Sequence, residues 1–307
     1  MFSFINLNKP LGLTSHDVVA RVRRLLRDRD LKHVKVGHAG TLDPLATGVL
    51  VVCLGAATRL SEYVMNHDKT YRASIMLGVE TGTYDAEGAV VSTLDASHIS
   101  RADVERALSA YVGEIAQIPP MYSAIKQGGK KLYDLARAGQ VVERAPRPVT
   151  IHAITIEAFE AVQPESPTVV CEIKCSAGTY IRSLAHDLGA ALSVGAHLTG
   201  LERTASGAFA VDSAVTLEQL AAAQDWSPLI TAPLDALADM PQLALSQRDW
   251  DEISRGRTIS ATGTISATGT IDGQIVTGVM DGQLRAILRA DSGQWHPHKV
   301  FLLAQLD

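Results

Sequence analysis

The segment Gly37-His38-Ala39-Gly40-Thr41-Leu42-Asp43-Pro44-Leu45-Ala46-Thr47-Gly48 runs straight into the longest apolar stretch of the chain, Val49 to Leu54. A short apolar run of this kind reads as a buried strand and falls well short of the length needed to span a bilayer. A glycine-rich loop is therefore tied to the core, with a carboxylate at its centre. Pro44 biases Asp43 away from the helical region, so the side chain is presented from extended or turn backbone. Leu42 and Leu45 on either side limit hydration, which sharpens a carboxylate as a nucleophile. On residue types alone the same segment also reads as an Asp-Pro turn opener without chemistry, and both readings stand.

The 307-residue chain as a whole narrows the class. The length suits about two domains, and 46% apolar with 20% charged residues is ordinary globular composition. Cys53, Cys171 and Cys175 are sparse and form no C-x-x-C pair, so neither a disulfide framework nor a zinc site is indicated, and a reduced, cytoplasmic setting fits best. The start MFSFINLNKP has neither the basic flank nor the apolar stretch of a signal peptide. Net charge is −5, which argues against a nucleic-acid partner until its distribution is considered. Arg21, Arg23, Arg24, Arg27, Arg29, Lys32 and Lys35 face only Asp28 and Asp30. A second basic stretch holds Lys126, Lys130, Lys131, Arg137, Arg144 and Arg147. Such patches neutralise phosphates or are simply solvated faces.

Periodicity supplies the elements. Thr14 or Ser15 caps a helix with Val18, Val19, Val22, Leu25 and Leu26 on one stripe. Ala57–Met65 is a short helix. Thr70–Leu77 alternates, as do Thr150–Phe159 and Thr168–Cys175, and each is a strand. Asp85-Ala86-Glu87-Gly88 is a turn before a strand at Ala89–Thr93. Ser100–Val112, Thr179–Leu192 and Gln247–Ser254 are helices. Gln117 to Gln140, with Pro119-Pro120 and Gly128-Gly129, is a long polar loop followed by a short helix, and long loops in compact domains tend to be functional.

Five motifs in order resemble the TruB-type pseudouridine synthases, the enzymes of tRNA uridine 55. They are Asn8-Lys9-Pro10-Leu11-Gly12-Leu13-Thr14-Ser15, the Asp43 loop, Lys69-Thr70-Tyr71-Arg72-Ala73, Pro119-Pro120-Met121-Tyr122-Ser123-Ala124-Ile125-Lys126, and Gly178-Thr179-Tyr180-Ile181-Arg182. The resemblance implies an α/β (α+β) fold: a catalytic domain on a mixed or antiparallel sheet over residues 1–235, with 117–140 as an RNA-clasping insertion. A small β-rich domain of the PUA type would follow over 240–307. It implies a stand-alone, monomeric, cytoplasmic isomerase of the tRNA T arm, with no cofactor, no metal, no membrane association and no obligate protein partner.

By the same resemblance Asp43 is the nucleophile, Arg182 pairs with it, and Tyr71 stacks on the flipped uracil and assists proton transfer. His38 lies against the RNA where the base leaves its stack, Tyr180 lines the uracil pocket, and Leu201, in a looser match, contacts the base. Lys9 and Lys126 are phosphate contacts or structural lysines. Asp85 and Glu87 read better as turn residues than as an acid/base pair, and His296-Pro297-His298 is a weak metal signal. The tandem ISATGT at 259–264 and 265–270 reads as local lengthening of a hairpin or loop. Rival readings are a non-catalytic RNA-binding protein, an unrelated aspartate-nucleophile hydrolase, and a guide-RNA-dependent synthase that needs partner proteins.

Overall fold

The computed structural model describes residues 1–123, 125–140, 142–260 and 271–302, with only the backbone described at 126, 127, 130, 131, 134 and 137. The first helix, Ser15–Asp28, begins where the capping residues predict. The Thr14 side chain accepts from the Asp17 N–H, and the Asp17 carboxylate accepts in return from the Thr14 N–H at 2.9 Å. Val18, Val19, Val22 and Leu26 are buried beneath it. Lys69–Leu77 alternates in burial as its sequence alternates, with Tyr71, Ala73, Ile75 and Leu77 inward.

A ten-stranded sheet organises the chain up to about residue 231. From one edge its strands run Ile230–Thr231, Phe2–Lys9, Ala46–Gly55, Ala196–Ser206, Lys69–Leu77, Thr168–Cys175, Arg147–Glu160 and Gly113–Gln117. Val36–Ala39 also pairs with Ala46–Gly55. Neighbours are antiparallel except where Ala196–Ser206 meets Ala46–Gly55, in the parallel register Leu201 to Ala46, Glu202 to Thr47 and Arg203 to Gly48. The sheet is thus mixed, and its parallel contact sits directly after the Asp43 loop.

Two strands at the centre of this architecture carry no alternation in sequence. Phe2–Lys9 is buried along most of its length, with Ser3, Asn6 and Lys9 buried beside Phe4, Ile5 and Leu7, so polar and apolar residues do not sort by face. Ala196–Ser206 pairs on both sides and is broken by register shifts at Leu198/Gly200 and Arg203/Ala205, which scrambles a period of two. Both are legible only once their partners are in place.

A second sheet of five strands begins at Gln242–Ala244 and contains Ile275–Met280, Gln283–Asp291, Gln294–Val300 and Ile259–Ser260. Leu284, Ile287 and Phe301 from this part share one core with Phe4, Val49, Val51, Cys53 and Leu237 of the first. Phe2 stacks on Phe301 with ring centroids 4.7 Å apart, and Arg59 donates to the Val300 carbonyl at 2.8 Å. The two sheets therefore stabilise one another. Most of the ISATGT duplication, 261–270, lies outside the described residues. Among the described residues no helix is long and apolar enough to cross a membrane, and His296 and His298 belong to no group of potential metal ligands.

Candidate active site

Asp43 occupies the first position of a turn closed by the Ala46 N–H donating to the Asp43 carbonyl at 3.0 Å, with Pro44 at the second position it favours. The loop is pinned from below. Leu42 donates its N–H to the Ser15 hydroxyl at 2.8 Å, and that hydroxyl donates to the Leu42 carbonyl at 3.1 Å. The fully buried Lys9 donates to the carbonyls of Pro10 and Leu13 at 2.9 and 2.5 Å and reaches the Pro44 carbonyl at 3.5 Å. Burial lowers its ammonium to about 8, against the pull of Asp43. Lys9 is accordingly a structural lysine. The same question about Lys126 falls on a side chain outside the described ones.

Arg182 is the partner of Asp43. Its Nη2 lies 2.9 Å from Asp43 Oδ2 and its Nη1 3.2 Å from Asp85 Oδ2. The guanidinium also donates to the carbonyls of Tyr122 at 2.6 Å and Thr83 at 3.3 Å. Arg182 sits in the first turn of the helix Ile181–Ala191. Tyr180 caps that helix without a side-chain bond; instead Gln117 grips its peptide, accepting from Tyr180 N–H at 2.8 Å and donating to Tyr180 C=O at 2.9 Å. The beginning of the 117–140 loop is thus built into the site, through Gln117, Tyr122 and the Ile118 carbonyl, which accepts from the Ser183 hydroxyl at 2.8 Å.

The electrostatics separate the two carboxylates. Asp85 is 4% exposed and shielded, while Asp43 keeps 41% of its side-chain surface despite the crowding around it. That crowding pushes the Asp43 carboxyl above its ordinary 3.8; Arg182 acts against the shift and Asp85 adds to it. A carboxylate that is ionised yet poorly solvated is a stronger nucleophile than one in water.

Tyr71, on Lys69–Leu77, is 8% exposed, and its phenol feels the charge of Asp43. Burial raises its phenol, while Arg203, its cross-strand partner, acts in the opposite sense. Arg203 is itself 1% exposed. It donates from Nε to the Val49 carbonyl at 2.7 Å and from Nη2 to the Gly40 carbonyl at 3.1 Å, clasping both ends of the Asp43 loop. Gly48 makes this possible, because a Cβ there would stand 2.3 Å from the Arg203 carbonyl oxygen. Leu201 pairs across to Ala46 and Ala73 on the same strand as Arg203. His38 is half-buried, and burial together with the charges of Arg203 and His16 lowers its imidazole. Burial likewise raises the Tyr180 phenol.

This constellation sits within a sequence of matching type. Residues 24–181 match the family described as TruB family pseudouridylate synthase (N terminal domain), and 182–237 match the tRNA pseudouridylate synthase B C-terminal domain. The chain belongs to the TruB family of pseudouridine synthases.

It is 52% identical over 244 residues to tRNA pseudouridine synthase B of Symbiobacterium thermophilum, covering 80% of this chain and 78% of that one. It is 43% identical over 301 residues to the Cupriavidus pinatubonensis protein of the same name, covering 97% and 93%. Among solved structures it is similar to a chain of an H/ACA RNP bound to a substrate RNA containing 2'-deoxyuridine, with a TM-score of 0.73 at 25% identity over 98% of this chain and 85% of the other. A Cbf5-Nop10-Gar1 complex gives 0.74 at 27%, over 98% and 85%. A TruB chain is a pseudouridine synthase and hence an isomerase, and the mixed α/β sheet is the architecture those structures share with it.

Within this TruB chain, Arg182 pairs with Asp43, Tyr71 and Tyr180 feel its charge, Leu201 pairs across to Ala46 just beyond the loop, and His38 lies near Arg203. Two further residues join them that the sequence reading did not place there. Asp85 does lie in a turn, with Gly88 N–H donating to its carbonyl at 3.3 Å, but the turn reading is incomplete. Its buried carboxylate accepts from the Thr83 hydroxyl at 2.5 Å, from Glu87 N–H at 3.1 Å and from Arg182. Arg203 follows Leu201 by two positions. Its signal was present as a charged residue amid apolar and small neighbours, yet nothing local distinguishes it from a surface arginine.

Proposed function

We propose that this TruB chain isomerises uridine 55 in the T loop of tRNA, acting alone in the cytoplasm, with Asp43 as nucleophile. The supporting observation is the Asp43–Arg182 pair at 2.9 Å, with Arg182 anchored behind it by Asp85. The names of the sequence relatives support tRNA as the substrate.

In this reading the target base leaves its stack, at a cost of a few kcal/mol, and stacking on Tyr71 returns roughly 1–3 kcal/mol. His38, held largely neutral, lies against the RNA at the mouth, while Tyr180 and Leu201 bound the base. The ribose C1′–uracil N1 bond breaks, the base turns, and a C1′–C5 bond forms. The C5 proton departs and N1 takes one up, so no redox equivalent or water is consumed. Asp43 adds covalently and leaves again; Arg182 holds it ionised and aimed through a two-pronged guanidinium. The 117–140 segment, continuous with Gln117 and Tyr122, clasps the arm, and the second sheet, a domain of the PUA type in this reading, extends the grip.

Tritium release from unmodified tRNA labelled at uracil C5, with the purified chain and no additions, tests the reading. Wild type releases one equivalent. Asp43→Asn releases none within a window that would detect about one part in 10⁴ of wild-type rate, the scale of losing a nucleophile, and still binds tRNA. Turnover by the variant near the wild-type rate removes Asp43 from the role. Tight binding without release by wild type points to a chaperone or guide-dependent role.

A further inference from the structure

A pocket apart from the Asp43 site lies at the end of the first helix. It has a volume of about 690 Å³ and is lined by Arg23, Arg27, Lys32, His33, Lys35 and Thr58. No carboxylate borders it. Elsewhere on the surface Arg72, Arg101, Arg106, Arg257 and Lys299 each hold a carboxylate. Among the described residues, no ion pair involves Arg23, Arg27, Lys32 or Lys35. Arg23 is fixed at the rim, donating to the Val36 carbonyl at 2.8 Å. A chain of net charge −5 has thus gathered cations in a concave site and left them without counter-charges, which destabilises the free protein through repulsion unless an anion binds there.

Position connects this pocket to the Asp43 loop. The helix Ser15–Asp28 touches the loop at its start, through Ser15 and Leu42, and lines the pocket with its last turns. From Ser15 to Arg27 such a helix advances about 18 Å. The strand register agrees: Gly37, at the pocket, pairs with Cys53, about 23 Å along the strand from Ala46. His16, Ala20, Arg23, Arg24 and Arg27 are all exposed and spaced by three or four residues, so they form one outer stripe. The stripe begins beside His38, whose imidazole feels the charge of His16, and ends in the pocket.

We infer that this stripe and pocket are a second RNA contact, binding the phosphate backbone of the duplex that leads away from the target loop, roughly 20 Å from the reacting base. The inference rests on the RNA-modifying reading above and extends it. At about 3.4 Å per step along one strand of a duplex, the pocket meets the RNA some six or seven base pairs from the base. It therefore grips a whole tRNA and misses a short hairpin. The contact is sequence-independent, because guanidinium and ammonium groups read phosphates and not base edges.

The test measures affinity of full-length chains for two RNAs, each across a salt series: unmodified tRNA, and a hairpin carrying the target uridine on a stem of about four base pairs, too short to reach the pocket. The variant is Arg27→Gln/Lys32→Gln/Lys35→Gln, all exposed positions. Expected for tRNA is a loss of roughly tenfold to a hundredfold and a drop of about 2 to 3 in the slope of log K against log salt. Hairpin affinity and hairpin turnover stay within about twofold of wild type, since no lost contact is within reach. A charge-conserving set, Arg27→Lys/Lys32→Arg/Lys35→Arg, binds tRNA as wild type does.

Equal losses on tRNA and hairpin overturn the inference in favour of a general field effect. Unchanged tRNA affinity and slope overturn it in favour of another acidic occupant, such as a protein. Failure of the charge-conserving set overturns the phosphate reading. Binding is read independently of turnover, so absence of isomerisation by wild type would count against Asp43 chemistry and leave the pocket to be judged by the tRNA–hairpin difference.

Discussion

Arg182 and Arg203 are both buried guanidiniums beside the Asp43 loop, yet they are neutralised in opposite ways. Arg182 faces two carboxylates, at 2.9 and 3.2 Å. Arg203 faces two backbone carbonyls, at 2.7 and 3.1 Å, and has no ion pair among the described residues. A cation between carboxylates sets their charge and aim: moving or removing it changes the reactivity of Asp43. A cation held by carbonyls sets where the backbone runs. The site thus separates the tuning of its proposed nucleophile from the shaping of the loop that carries it, and assigns each to a different arginine.

The largest effect expected from this division is on Arg182. Arg182→Lys keeps the charge and loses the fork that spans Asp43 and Asp85, and we expect turnover to fall by about 10²–10³-fold with tRNA affinity little changed. Single-turnover rates at saturating enzyme decide it; a rate close to wild type would mean that a point charge suffices and would erase the contrast with Arg203.

Asp85→Asn comes next and bears on sign. Turnover that needs ionised Asp43 declines as pH falls through a carboxyl value that burial and Asp85 raise above 3.8. Removing the Asp85 charge removes one of the influences that raise it, so the acid limb of the single-turnover pH profile moves to lower pH. The plateau drops roughly tenfold to a hundredfold as Arg182 loses an anchor. A limb that stays in place or moves upward shows that Asp85 acts on Arg182 alone.

The smallest effect on chemistry, and the largest on stability, belongs to Arg203. Arg203→Met leaves the Gly40 and Val49 carbonyls without a donor at about 1–3 kcal/mol each. For a chain of this size the thermal midpoint falls by several degrees, at about 2–4 °C per kcal/mol, while turnover at low temperature drops by no more than about tenfold. An unchanged midpoint with turnover lost would make Arg203 a direct participant through Tyr71 and would blur the division.

Particular residues show where reading the chain succeeded. Thr14 with Asp17, the alternation through Tyr71, and the Gln247–Ser254 helix are encoded within a few positions, and the structure places them as the sequence predicts. The pairing of Asp43 with Arg182 matches the order of the motifs, and Asp43 sits in the turn that Pro44 implies. Asp85 was read only as a turn because its meeting with Arg182 spans 97 positions. The Ala196–Ser206 strand shows no period in sequence because two register shifts interrupt it. Yet this strand ties down the Asp85 turn, through Leu198 N–H to the Tyr84 carbonyl at 3.0 Å, and carries both Leu201 and Arg203.

The sequence by itself determined the local elements and the family, since capping, alternation and motif order act over short spans. Only the tertiary structure decided which arginine meets carboxylates and which meets carbonyls. It also decided that Lys9 is buried, that the second sheet shares a core with the first, and that the cations of the first helix gather around a pocket. Those outcomes depend on strands and loops far apart in sequence being brought within hydrogen-bond distance, and no local pattern specifies such a partner.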